Sequence, residues 1–219
     1  MTTYDIREVL PGVFRLPVPL ERNPLKELNS YLFLGSRETG RRNLLVDTGF
    51  HTEGCKKALL EGLAQLGVSM EDTDILLTTL HADHSGNAPE LIRPGGKVNI
   101  SREDYRFLDG NLPEPRYERF RENGIAEDLL QAMLACTPSR TMAAPLSFLD
   151  YTLREEGVMI PAGRYMLRAI WTPGHTPGHF CFEVCGTGAM LLGDHVLFDI
   201  TPNITDWWDV PDSLGDYLR

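Results

Sequence analysis

At 219 residues, 42% of them hydrophobic and 24% charged, the chain is long enough to bury one large core as a single globular domain over 1–219. Its formal net charge of −10, with no basic stripe, argues against nucleic acid as a partner, since phosphate binding draws its affinity from clustered Lys and Arg. The segment Met1-Thr2-Thr3-Tyr4-Asp5 is not a charged region leading into an apolar core, and no apolar run reaches membrane-spanning length; the expectation is a soluble, cytoplasmic protein with no membrane partner.

Taken in chain order, Asn43-Leu44-Leu45-Val46 reads as a buried strand ending at Asp47-Thr48-Gly49. A helix is expected from near Thr52, with Leu59, Leu63 and Leu66 on one face and Gly67 as its stop. Ile75-Leu76-Leu77-Thr78 reads as the next strand, so the two strands are expected to be parallel, as in a βαβ unit. Ser101-Arg102-Glu103-Asp104 resembles a capping box, and Ala126 to Cys136 carries a helical apolar pattern in Leu129, Leu130, Met133 and Leu134. Residues 105–150 are read as a helical insert, either a lid or pocket wall or plain core packing. Farther on, Arg164–Trp171 and Ala189–Leu192 read as strands. The last residues resemble a helix start with Ser213 as N-cap and Leu214, Tyr217 and Leu218 as its apolar face. Cys55, Cys136, Cys181 and Cys185 lack Cys-x-x-Cys spacing and read as thiols.

Three clusters follow predicted strands. They are Leu77-Thr78-Thr79-Leu80-His81-Ala82-Asp83-His84, then Thr172-Pro173-Gly174-His175-Thr176-Pro177-Gly178-His179, then Gly193-Asp194-His195. Imidazole and carboxylate at close spacing beside glycine turns suit zinc, iron or manganese. With Asp47, these residues are expected at the carboxyl ends of strands, where α/β folds bind ligands. His195 follows Asp194 directly, points to the other side if the strand continues, and is not counted as a ligand. His51 reads as a rim residue, and Trp207 and Trp208 as pocket wall or packing.

These motifs, with Leu45-Val46-Asp47-Thr48-Gly49, span roughly residues 10–200 in the order of the metallo-β-lactamase superfamily, which the chain resembles. The family signature reads Thr-His-x-His-x-Asp-His. Here His81, Asp83 and His84 occupy its later positions, and Thr79 stands where the first histidine belongs. The resemblance implies an α/β fold, the four-layer αββα sandwich, holding one or two divalent metal ions, zinc foremost, with iron or manganese as alternatives.

One metal would be held by His81, His175 and Asp194, with Thr79 a poor substitute ligand, and the other by Asp83, His84 and Asp194, which bridges the pair. Asp83 would be catalytic, orienting the water that becomes metal-bound hydroxide. Asp47, His179 and Thr79 would support the ligands from behind. The implied function is a metal-dependent hydrolase of a small-molecule ester, thioester or lactone, similar to glyoxalase II and the lactonases. Two other classes stay open: a mononuclear iron redox enzyme, and a non-catalytic binding protein with a degraded metal site. A final histidine ligand normally follows the bridging aspartate by several tens of residues, so the expectation is a fragment whose C-terminal part is missing.

Overall fold

The structure is a computed structural model that describes residues 5–21, 23–36, 38, 40–108, 116–135, 142–144, 151–207 and 210–219. Two sheets dominate it. The larger has seven strands in sequence order: β1 (Arg7–Leu10), β2 (Val13–Pro19), β3 (Glu27–Phe33), β4 (Asn43–Val46), β5 (Thr73–Leu76), β6 (Val98–Ser101) and β7 (Tyr151–Arg154). The smaller has four: β8 (Met159–Ala162), β9 (Tyr165–Trp171), β10 (Phe180–Val184) and β11 (Ala189–Leu191), each paired antiparallel to the next.

Pairing in the large sheet is antiparallel from β1 to β4 and parallel from β4 to β7. The parallel β4–β5 pair is the one expected from the two apolar runs, with Leu45 opposite Ile75 and Val46 opposite Leu76. Between them, α1 (Glu53–Gln65) starts where Thr52 accepts a hydrogen bond from the Cys55 amide, and it ends at Leu66 before Gly67 turns to φ +68°.

Strand β2 holds Pro17 and Pro19, which supply no amide hydrogen. The chain tolerates them because β1 pairs only with the Val13–Arg15 end, so beyond it β2 is an edge strand bonded to β3 alone.

Alternation along the strands gives the large sheet two buried faces. On one, Leu16, Leu32, Leu45, Ile75 and Ile100 pack with Cys55, Leu59 and Leu63 of α1. On the other, Val13, Phe33, Leu44, Val46 and Leu76 meet Ile160, Leu167, Ala169, Phe180 and Phe182 of the small sheet. The outer face of the small sheet carries exposed Met159 and Met190, on the same side as Arg168 and Glu183.

The middle and end of the chain depart from expectation. Helix α2 (Ala82–Ser85), α3 (Ala88–Leu91) and α4 (Arg102–Tyr105) are single turns, followed by α5 (Arg116–Glu122) and α6 (Glu127–Ala135). In α6 only Leu130 of the expected stripe is buried; Leu129 and Met133 are exposed, and the Leu134 side chain and Cys136 lie outside the described residues. The final helix, α7 (Ser213–Tyr217), is capped by Asp212 and not Ser213, because the Asp212 carboxylate accepts from the Gly215 amide. Leu214 and Leu218 are exposed, and Tyr217 alone packs inward, its hydroxyl on the His195 carbonyl.

Candidate metal centre

Successive parallel strands deliver their following residues to one edge. Asp47 comes directly after β4, the 77–84 segment after β5, and Asp104 three residues past β6. The β9–β10 hairpin brings His175 and His179 to the same place, and β11 runs out into Gly193-Asp194.

Asp47 adopts φ +60°, a left-handed conformation uncommon outside glycine. That geometry aims its carboxylate at the next loop. Oδ1 accepts from the Thr78 amide (2.9 Å), and Oδ2 from the Thr78 hydroxyl (2.8 Å) and His84 Nδ1 (2.9 Å). The α2 turn is laced to the same segment, since both the amide and the hydroxyl of Thr48 donate to the His84 carbonyl. At Gly86 a side chain would strike the His51 backbone, so glycine permits this close approach.

The donor atoms form two groups within 4.8 Å of one another, His81–His175–Asp194 and Asp83–His84–Asp194, and Asp194 belongs to both. Its Oδ1 lies 3.3 Å from His84 Nε2, and its Oδ2 lies 3.4 Å from His175 Nε2. His81 Nδ1 and His175 Nε2 face each other at 2.8 Å.

Two of the rings have their far nitrogens engaged. His84 gives Nδ1 to Asp47, and His175 gives Nδ1 to the Asn203 carbonyl at 2.7 Å. A ring fixed in this way presents its Nε2 lone pair to a cation, the usual arrangement of metal-binding histidines. The donor set of imidazoles and carboxylates therefore fits a divalent ion.

Electrostatics hold His84 and Asp194 as opposed charges in this largely buried site. Burial opposes charge on His84, but Asp194 and Asp47 on either side outweigh it and hold its pKa well above 6.5. Burial likewise opposes ionisation of Asp194, yet His84, then His175 and His81, keep it an anion to well below the usual carboxylate range. Burial raises Asp83, and the Asp194 charge adds to the effect. Burial lowers His175 and, more strongly, His179.

His179 Nδ1 meets the Thr172 hydroxyl at 2.8 Å, and its Nε2 accepts from the Asp194 amide at 3.2 Å. It thus touches the loop of Asp194 as well as its own hairpin. His195 stays out of both donor groups and packs on Tyr217, with ring centroids 4.7 Å apart. His51 reaches Glu90 at 2.7 Å, as a rim residue would. Trp207 is buried, stacks over His81 at 6.0 Å, and donates Nε1 to the His175 carbonyl; Trp208 lies outside the described residues.

A cleft of about 700 Å³ opens over Asp83, His84 and Asp194. Among the described residues its walls come from the β2–β3 hairpin, with Leu20, Leu25 and Leu28, and from Met190 to Asp199, where Phe198 is 89% exposed. In the described part of 105–150, Tyr105, Leu108, Met142 and Ala143 pack on the core face that carries α1, Phe107 packs edge-on against Trp207 with ring centroids 5.1 Å apart, and α5 and α6 follow; 109–115, 136–141 and 145–150 lie outside the described residues.

In the sequence Asp104 reads only as the partner of the Ser101 cap, and its main contacts lie in distant loops. Its carboxylate is fully buried, and Oδ2 accepts from the Leu80 amide (2.7 Å) and the Thr176 hydroxyl (2.9 Å), while Oδ1 accepts from the Gly178 amide (2.7 Å). The signal that could have found it is the rule that found Asp47: an acidic residue just past the end of a buried parallel strand.

The sequence pattern of the metallo-beta-lactamase superfamily matches residues 27–218, and the chain belongs to that superfamily. It is similar to a metallo-beta-lactamase family protein of Thermus thermophilus, with a TM-score of 0.80 and 31% identity, covering 96% of this chain and 68% of that one. A beta-lactamase domain protein from Burkholderia ambifaria shares the fold at a TM-score of 0.75 and 24% identity, covering 98% of this chain and 65% of that one. Among curated proteins, an atrochrysone carboxyl ACP thioesterase of Aspergillus fumigatus is 30% identical over 213 residues, 90% of this chain and 40% of the relative. One of the same description from Claviceps purpurea is 26% identical, over 92% of this chain and 51% of the relative. The chain thus spans about half the length of the curated relatives it matches.

Proposed function

We propose that this chain is the metal-binding part of a hydrolase that cleaves thioesters of small carboxylic acids, within a wider class of ester and lactone substrates. The observation that carries the reading is Asp194, whose two carboxylate oxygens each face a different histidine inside a buried donor cluster. The relatives described as thioesterases support a thioester as the carbonyl substrate.

His81, His175 and Asp194 would hold one divalent ion, and Asp83, His84 and Asp194 a second; zinc suits the donors best, with iron or manganese as alternatives. When bound, such ions supply Lewis-acid polarisation of the carbonyl and lower the pKa of a water molecule. Asp83 would orient the attacking water and would accept its proton at a carboxylate oxygen. Asp47 keeps the His84 ring turned with Nε2 forward, and the Asn203 carbonyl does the same for His175. Leu25, Leu28 and Phe198 line the cleft beside the Asp83–His84–Asp194 group and would offer apolar contacts to the acyl group, while the open side of the cleft would admit the thiol portion.

The test is a panel of small thioesters, esters and lactones, assayed as purified, after chelation, and after return of zinc, iron or manganese. The expected result is thioester cleavage that chelation abolishes and one of the metals restores. Cleavage indifferent to chelation would refute metal dependence, and no cleavage of any substrate by the metal-loaded protein would refute the hydrolase reading. The His81–His175–Asp194 group also has the two-histidine, one-carboxylate composition of mononuclear iron sites, which favours a redox enzyme as the second reading. Iron in preference to zinc in the purified protein, with no thioester cleavage, would select it.

A further inference from the structure

Asp104 is a fully buried carboxylate whose partners among the described residues are amide and hydroxyl donors, and it lies outside both donor groups. Burial pushes its pKa up to about 6 against the pull of the Thr176 hydroxyl and the Gly178 and Leu80 amides. A group so costly to bury is retained where it satisfies donors that nothing else reaches.

Those donors belong to the two loops that carry His81 and His175. Leu80, bonded at 2.7 Å, directly precedes His81, and Thr176, bonded at 2.9 Å, directly follows His175. The Gly178 amide adds a third bond at 2.7 Å. A Cβ at Gly178 would overlap the Asp104 amide and the Ser101 hydroxyl, so the hairpin approaches the β6–α4 junction as closely as backbone allows.

Thr79 extends the same network. It is completely buried, and its hydroxyl donates to Thr176 Oγ1 at 3.1 Å while accepting a long bond of 3.4 Å from the His81 amide. A chain of donors thus runs from the His81 amide through Thr79 and Thr176 to Asp104. The residue standing in the position of the family's first histidine is engaged in this chain.

We infer that Asp104, acting through Thr176 and Thr79, is a positioning residue that holds the His81 and His175 loops in register and so sets the separation of their ring nitrogens. Its metal readout rests on the proposed metal-dependent reading; its geometric readout does not. Asp104→Asn places an NH2 where at least one loop donor needs an acceptor, and Thr79→Val keeps the volume but cuts the chain. Thr79→Ser restores the hydroxyl.

The experiment measures zinc affinity by competition with a chelating dye for the wild type and the three variants, together with amide exchange at Leu80 and Gly178 and the ring-proton contact of His81 with His175 by NMR. The expected result is a 10- to 100-fold loss of zinc affinity, on the order usual for groups that orient ligands, in Asp104→Asn and Thr79→Val, with wild-type affinity in Thr79→Ser. Leu80 and Gly178 should lose exchange protection in Asp104→Asn. Wild-type affinity in Thr79→Val would overturn the role of Thr79, and wild-type affinity in a folded Asp104→Asn would overturn the inference entirely. If the wild type itself binds neither zinc, iron nor manganese, the metal-dependent reading fails and the NMR contact decides. Its loss in Thr79→Val with retention in Thr79→Ser supports the brace, and its retention in both refutes it.

Discussion

The oxygens of Asp194 lie 3.3 Å from His84 Nε2 and 3.4 Å from His175 Nε2, so one side chain is common to both donor groups, whereas His84 serves a single group. Asp194→Ala should therefore remove bound metal almost completely, and His84→Ala should leave the His81–His175–Asp194 group able to hold an ion. Metal content of the two variants measured side by side checks this, and equal loss in both would place the binding in the His84 group alone. Asp47 acts one step back. Asp47→Asn turns one of its three bonds from acceptance into a donor clash, which should cost about 1–3 kcal/mol of stability and about 10- to 100-fold in metal affinity. Urea denaturation and dye competition read the two effects separately. Asp47, His81, Asp83, His84, His175 and Asp194 were legible in the sequence because each sits in a short motif after an apolar run. Asp104 was not, because its partners lie 24 to 74 residues away and its local Ser-x-x-Asp spacing has an adequate explanation as a cap.

Elements matter here through where they stop. Strands β4, β5 and β6 run parallel, so their carboxyl ends share one edge, and the β9–β10 hairpin folds back onto that edge with Gly178 at its closest point. Gly178→Ala should push the hairpin off the β6–α4 junction, at a cost of about 1–3 kcal/mol, seen as a fall in Tm on the order of 5 °C. An unchanged melt would show that the junction has slack. The βαβ unit could be read from the sequence since hydrophobic runs, the Thr52 cap and Gly67 all agree. The antiparallel strand β2 was not legible because Pro17 and Pro19 break the strand pattern and only the pairing shows that they stand on an edge. At the other end, the apolar spacing of α6 suggested a buried stripe, but the described helix leaves Leu129 and Met133 in solvent.

At the scale of the molecule, the buried histidines tie stability to pH. Burial first, then the neighbouring His175 and His84, keeps His179 neutral well below its ordinary 6.5. As pH falls below about 6.5, the unfolded chain gains a proton on this ring that the folded chain refuses, so the stabilisation present above that pH is lost. Asp104 works in the opposite direction, because it takes up its proton in the folded state near pH 6. The two are separated by comparing the wild type with His179→Gln in denaturant titrations between about pH 5 and 7. The variant should lose less stability on acidification, and an equal loss would show that His179 does not set the slope. The central claim, that the cluster around Asp194 is a metal centre, is tested most directly by elemental analysis of protein purified without chelator, loaded with zinc and desalted. The account predicts about one to two ions per chain in the wild type and essentially none in Asp194→Ala; a wild type that retains no more metal than Asp194→Ala would contradict it.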